Sequence, residues 1–425
     1  MRITFEAAPG AMECGVQFSD WDRAALNGNS LGLFAWVSAG GTAAVPREIV
    51  LRDGASVLAR LSPLYDTAEI VAKLAPGATG RTRFAHACVN RLALREQGAI
   101  AVEVVDEAGV RALVGRLVYA GNDLRDIIPP IVLDLAPVLV TSLGRSGSTI
   151  LSQALGAHPA LCTVGGYPFE YRFFSYCLHA ALVLTSPAGH AHSMGGDSFE
   201  DRHPSDVGFN PFNHRDYDRA LGHDGLREFY EGAFARDAAR FLVGQAGAAV
   251  TLAAAGKPGA TGFVEKMSGF ALANFAHNAC AGTREIVLTR GFEDLVRSML
   301  AFDRQRGTTN FFDADSPEAA DAWLMEMAYR QAHLAGRARE AGLVHVAYEE
   351  LVGDPRARLT RLAKELEIDA NPAAVEAMCA PFDGSAFSEA HSTAASKADL
   401  DLEAMFSKSA RERAAAFVRG SGAAP

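Results

Sequence analysis

Apolar and polar residues alternate in short bursts through the first third of the chain. Leu31–Val37, Glu48–Arg52, Val57–Leu61, Arg83–Val89, Ala99–Val105 and Ala112–Tyr119 are apolar-rich runs, separated by turn signals such as Asp53-Gly54 and Asp106–Gly109. Runs of this length and spacing predict the strands of a small all-β sandwich over residues 1–125. Turn residues and a double proline in Gly121–Pro130 predict a linker at 126–134. From 135 to 425 the pattern changes to strand-then-helix, which predicts an α/β domain on a parallel sheet. Pro137–Leu143, Arg284–Arg290 and Leu343–Tyr348 read as its buried strands, and Glu318–Ala341 as a long helix with Ser316 at its N-cap. Residues 180–225, rich in Gly, His, Asp, Ser and Pro, predict an irregular insertion. A chain starting near Ile131 is expected to fold alone.

The chemistry begins where the first α/β strand ends. Gly144-Arg145-Ser146-Gly147-Ser148-Thr149 lies between that strand and a helical run from Ile150. Strand, Gly- and hydroxyl-rich turn, then helix is the layout of a phosphate cradle, because backbone N–H groups and the positive helix end converge on the anion. It is not a Walker A loop: Ser148 stands in the lysine slot. A P-loop kinase is therefore the weaker alternative. Further on, a strand ends in Arg290, and Ser298 follows eight positions later on a predicted helix. Arg at a strand end and Ser two turns into the next helix can hold one phosphate from two sides. Taken singly, an Arg such as Arg290 is more often a surface cation than a ligand.

Together these segments resemble the sulfotransferases that use 3′-phosphoadenosine 5′-phosphosulfate (PAPS). The first resembles their 5′-phosphosulfate loop, the second their 3′-phosphate motif, although Gly291 and Glu293 replace the family's usual turn residues. The resemblance implies a P-loop-type parallel sheet flanked by helices, and PAPS as co-substrate with no metal. Arg145 would then neutralise the leaving phosphate, and Lys266, after a short apolar strand, would face the bridging oxygen. Its alternative is a structural ion pair with Glu265 or a neighbour. No Lys-x-His base of the small-molecule enzymes is present. Instead His158-Pro159 is followed by Glu170 and Arg172, a layout similar to membrane-associated and protein-tyrosine sulfotransferases. It implies Glu170 as general base; Glu170 could also cap or pair at a helix start. Late residues Ser392, Thr393 and Lys397 resemble the loop that folds over the nucleotide. Tyr348–Pro355 resembles a late core segment with a packing and capping role. The N-terminal region resembles Ig-like modules of bacterial glycan-modifying enzymes; a structural or oligomerising module fits it equally.

Bulk properties narrow the partners. The 425 residues are 49% hydrophobic and carry a formal net charge of −10, so a nucleic-acid binder is not expected. No apolar stretch suits a membrane span and no signal peptide is visible, so a cytoplasmic place is expected. The six cysteines are scattered, and His190, His192, His203 and His214 fit no zinc spacing, so no metal is expected. His203 or His214 is a minor alternative base. The acceptor is expected to be a glycan or small molecule. A PAPS- or nucleotide-binding module without catalysis is the non-enzymatic alternative.

Overall fold

The computed structural model describes residues 2–8, 14–17, 30–39, 46–54, 56–61, 81–106, 111–124, 128–166, 169–185, 229–267, 270–382 and 400–420. The strands are β1 (Arg2–Ala7), β2 (Cys14–Gln17), β3 (Ser30–Ala39), β4 (Pro46–Asp53), β5 (Ser56–Leu61), β6 (Arg81–Asn90), β7 (Gln97–Asp106) and β8 (Arg111–Ala120), then β9 (Ala136–Ser142), β10 (Leu161–Cys162), β11 (Gly262–Met267), β12 (Arg284–Thr289) and β13 (Val344–Ala347). The helices are α1 (Ser148–Ala157), α2 (Phe173–Thr185), α3 (Ala235–Ala253), α4 (Phe270–Ala279), α5 (Phe292–Arg306), α6 (Pro317–Glu340), α7 (Tyr348–Gly353), α8 (Pro355–Glu365), α9 (Pro372–Cys379), α10 (Leu402–Met405) and α11 (Lys408–Gly420). The expected architecture is present: an antiparallel β region first, then a parallel sheet flanked by helices. No helix among the described residues is long and apolar enough to cross a membrane.

Contacts divide the chain into two units. The first comprises Met1–Ile131, Tyr176–Ala246 and Phe270–Ala281. Its strands form a five-stranded sheet, ordered β1-β8-β7-β4-β5, and a three-stranded sheet, β2-β3-β6. All described pairings are antiparallel, as alternating strands with tight turns require. Gly54, at φ 57°, turns the chain between β4 and β5.

α4 is bound into this unit by its amides. Asn274 Nδ2 donates to Asp53 Oδ2 at 3.0 Å and to the Ala93 carbonyl at 2.9 Å. Asn278 Nδ2 donates to the carbonyls of Leu92 and Leu94 at 2.9 and 2.8 Å. The end of the expected linker is fixed as well, since Ile131 exchanges backbone hydrogen bonds with Ala279 and Ala281. A chain starting at Ile131 would keep α4 but lose the carbonyls that satisfy these amides, leaving buried polar groups unpaired and apolar surface bare. That chain is now expected to be insoluble, a reversal of the expectation from sequence. Its soluble yield beside the full-length protein is the check.

The second unit comprises Val132–Ser175, Gly247–Gly269 and Gly282–Pro425. Its five strands are all parallel, in the order β10-β11-β9-β12-β13. β9 comes first in the chain yet lies in the middle, between two later strands. The chain therefore leaves β9 at a switch point of the sheet, where the crevice at the strand ends suits a ligand. β9 and β12 are buried almost throughout, which explains their unbroken apolar runs. The core joins Val138, Val140, Leu151, Leu155, Val264, Ile286, Leu288 and Val346 to leucines of α7 and α8. Lys257 closes the far end of α1, its ammonium donating to the carbonyls of Gly156, His158 and Leu161 at 2.6–2.7 Å. Gly156 belongs to the last turn of α1, where a helix leaves carbonyls without an intrahelical partner, while Leu161 opens β10.

Candidate active site

The loop after β9 has an unusual backbone. Arg145 has φ 66° and Gly147 φ 92°, both in the left-handed region. Gly147 is the N-cap of α1 and provides no side-chain cap. The first N–H groups of this ten-residue helix therefore point into the loop without a side-chain acceptor. Two aromatic rings close on the glycines. A Cβ on Gly144 would lie 2.4 Å from the Phe311 ring, and one on Gly147 would lie 2.4 Å from the Tyr348 ring. Only glycine lets the backbone run this close. Ser146 is fully buried, and its hydroxyl has no hydrogen-bond partner among the described residues.

Basic groups gather around the loop. Arg290, at the end of β12, donates from Nη1 to the Arg145 carbonyl at 3.0 Å. Its guanidinium lies 4.5 Å from the centre of the Tyr348 ring and 3.4 Å from Asp294 Oδ2. Gln331 of α6 holds the Arg290 carbonyl at 2.6 Å. The Arg145 guanidinium stacks over Phe302 at 4.7 Å. Two motifs far apart in sequence thus meet at one place. Ser298 is buried two turns into α5.

A second cluster lies on the other side of Thr149. Lys266, on β11, has its ammonium 3.2 Å from Glu170 Oε1 and 3.4 Å from Thr149 Oγ1. Burial lowers the pKa of this amine, and the neighbouring Glu170 charge works against that shift. Arg172 donates to the same Glu170 oxygen from Nε at 3.0 Å and Nη2 at 2.8 Å. The Glu170 side chain is 3% exposed, and among the described residues only Oε1 is engaged. The ion-pair partner of Lys266 is Glu170, not Glu265.

Other residues expected to matter have structural positions. His158 is fully buried; Nδ1 accepts from the Ala160 N–H at 3.0 Å and Nε2 donates to the Asp369 carbonyl at 2.7 Å. Tyr348–Pro355 packs and caps: Glu349 accepts from Gly291 N–H at 2.9 Å, and Asp354 caps α8. Ser392, Thr393, Lys397 and the histidines at 190, 192, 203 and 214 lie outside the described residues. Arg297, next to Ser298, donates to the Leu400 carbonyl at 2.7 Å and so fixes the chain just after that late segment. Among the described residues, no three His, Cys, Asp or Glu side chains gather as metal ligands.

Sequence reasoning missed the aromatic wall and what orders it. Asp303 is buried near the end of α5. Its carboxylate accepts from the N–H groups of Asn310, Phe311 and Phe312 at 3.2, 2.8 and 2.9 Å, and from the Thr308 hydroxyl at 3.2 Å. This folds 307–312 so that Phe311 reaches Gly144 and meets Phe302 edge-on at 5.6 Å. The only local signal was an Asp in a helix end followed by Gly307.

Known proteins resemble this chain. The family model described as the sulfotransferase family matches residues 137–372. Among solved structures, the sulfotransferase domain of the Synechococcus PCC 7002 olefin synthase is 16% identical with a TM-score of 0.34, over 67% of this chain and 95% of that one. A sulfotransferase from Mycobacterium tuberculosis H37Rv is 17% identical with a TM-score of 0.30, over 66% and 77%. One from Alicyclobacillus acidocaldarius is 14% identical with a TM-score of 0.33, over 67% and 92%. No curated protein matches the chain. Because the family model spans more than half of the sequence, from β9 and its glycine loop to the start of α9, the chain belongs to the sulfotransferase family.

Proposed function

We propose that this chain moves a sulfuryl group from PAPS to a hydroxyl of a glycan and releases adenosine 3′,5′-bisphosphate. One observation carries the reading: Arg290 bonds to the Arg145 carbonyl, while Lys266 bridges Thr149 and Glu170. A doubly anionic nucleotide end and a reacting centre would then share one loop.

The donor set fits such a nucleotide. The uncapped start of α1, Ser148, Thr149 and Arg145 would hold the 5′-phosphosulfate, and Arg290 with Ser298 the 3′-phosphate. PAPS supplies the activated sulfuryl group. Lys266 and Arg145 neutralise the charge that grows on the departing phosphate oxygen. Glu170 takes the acceptor's proton at Oε2, the oxygen that none of its described partners engages. Arg172 holds Glu170 by Oε1 and so leaves Oε2 for the acceptor. The glycan assignment is supported by the exposed Arg172 guanidinium and Phe173 ring beside Glu170, groups suited to sugar hydroxyls and sugar faces.

Titration calorimetry tests the donor. Adenosine 3′,5′-bisphosphate is expected to bind well above ADP or ATP, because only it engages both phosphate sites. Arg290→Ala is expected to weaken it by about 2–3 kcal/mol and Ser298→Ala by about 1 kcal/mol. ADP binding as tightly as the bisphosphate would remove the 3′-phosphate assignment. ATP turnover with Mg²⁺ would favour the kinase alternative.

A further inference from the structure

The proposed chemistry leaves one buried acid without a task. Glu265 is fully buried on β11, next to Lys266 in sequence but on the opposite face of the strand. Lys266 reaches Thr149 and Glu170, whereas Glu265 reaches the start of α2. Its Oε2 accepts from the Arg172 N–H at 3.1 Å. Its Oε1 accepts from the Ser175 N–H at 3.1 Å and the Ser175 hydroxyl at 2.7 Å. Among the described residues no basic side chain lies within ion-pair distance of it.

A buried carboxylate held only by neutral donors is a costly way to cap a helix. Burial raises its pKa, and the Glu170 charge raises it further, against its hydrogen bonds. A neutral cap such as Ser or Asn would satisfy the same helix end. The backbone it holds is also strained: Phe169 has φ 58° and Arg172 φ 60°, so two non-glycine residues in the left-handed region bracket Glu170. Arg172 is then a two-ended connector. Its N–H is tied to Glu265, and its guanidinium is tied to Glu170.

We propose that Glu265 is a positioning residue, which sets Glu170 against Lys266 by clamping the strained turn at Arg172. The proposal rests on the reading of Glu170 as the base. It explains why the acid and the lysine are neighbours on one strand: a single rigid element fixes the ammonium directly and the Glu170 carboxylate through Arg172. Glu265 itself touches neither the loop nor the acceptor side.

Two measurements test it. The first needs no acceptor: crystal structures of Glu265→Gln and Glu265→Ala. In both, the turn at 169–172 is expected to relax and the Glu170–Lys266 contact to open beyond hydrogen-bond reach. A contact kept in Glu265→Ala overturns the proposal. The second is a cycle of Glu170→Gln, Glu265→Gln and the double variant, assayed with ³⁵S-labelled PAPS. Glu265→Gln is expected to lower kcat about 10–100-fold with little change in KM for PAPS or in bisphosphate affinity, and Glu265→Asp to recover part of it. The double variant is expected to match Glu170→Gln alone. Losses that add, or equal losses in kcat and nucleotide affinity, overturn the positioning role. Full activity in Glu170→Gln would instead remove the base assignment, and a loss in Glu265→Gln against that background would overturn this proposal too.

Discussion

Replacing Glu170 with Gln is expected to lower turnover by about 10²–10⁴-fold, the range for a lost general base, and to leave PAPS affinity within a few-fold. Gln keeps the shape, and its carbonyl oxygen can still accept from Arg172. What it lacks is a basic oxygen for the acceptor's proton. Steady-state transfer of ³⁵S to an accepting glycan reads the first effect, and bisphosphate titration the second. Turnover near the parent's would move the base elsewhere, with a histidine of the 190–214 region next in line. Equal losses in turnover and nucleotide affinity would mean that Glu170 serves mainly to hold Lys266.

Replacing Lys266 with Ala is expected to lower turnover by a similar order and, unlike Glu170→Gln, also to weaken PAPS modestly. The ammonium lies between the loop hydroxyl of Thr149 and the carboxylate of Glu170, so its loss is felt on both sides. Burial already lowers the pKa of this amine, so its charge is poorly solvated before the donor arrives. A forming phosphate charge is then a better partner than water was. Arg in its place is expected to recover charge but not turnover, because a planar fork does not fit a site made for a point charge. Single-turnover rates for Lys266→Ala and Lys266→Arg separate the two contributions. A Lys266→Ala variant with unchanged single-turnover rate would show that the lysine is only a structural partner of Glu170.

The sequence made some of this legible because the relevant chemistry is local. The glycine loop, the strand before it and the helix after it are contiguous, so their pattern alone announces a strand–loop–helix turn. Arg290 and Ser298 share one strand–helix unit for the same reason. Ser316 and Pro317 start α6 as their residue types require, with Ser316 Oγ accepting from the Ala319 N–H. What stayed hidden depends on contacts between distant segments. Nothing near Glu265 reveals that it holds Arg172, 93 positions away. Nothing in the amphipathic pattern of α4 shows that Asn274 and Asn278 belong with Leu92–Leu94 rather than with the parallel sheet. β1 was missed because six alternating residues at a chain start look like any short polar–apolar stretch, and β10 because two residues are too few to carry a period.

The rings over the glycine loop carry a consequence for how such a sequence can drift. Phe311 and Tyr348 occupy the volume that a methyl group on Gly144 or Gly147 would need. Each glycine is therefore half of a lock whose other half is encoded far downstream. A larger residue at 144 becomes tolerable only after the ring at 311 has shrunk. At 147, a smaller residue in place of Tyr348 would relieve the clash but not the strain that a side chain meets at φ 92°. Of the two locks, the one at 144 can be exchanged by a pair of changes, while the one at 147 keeps a backbone cost after both.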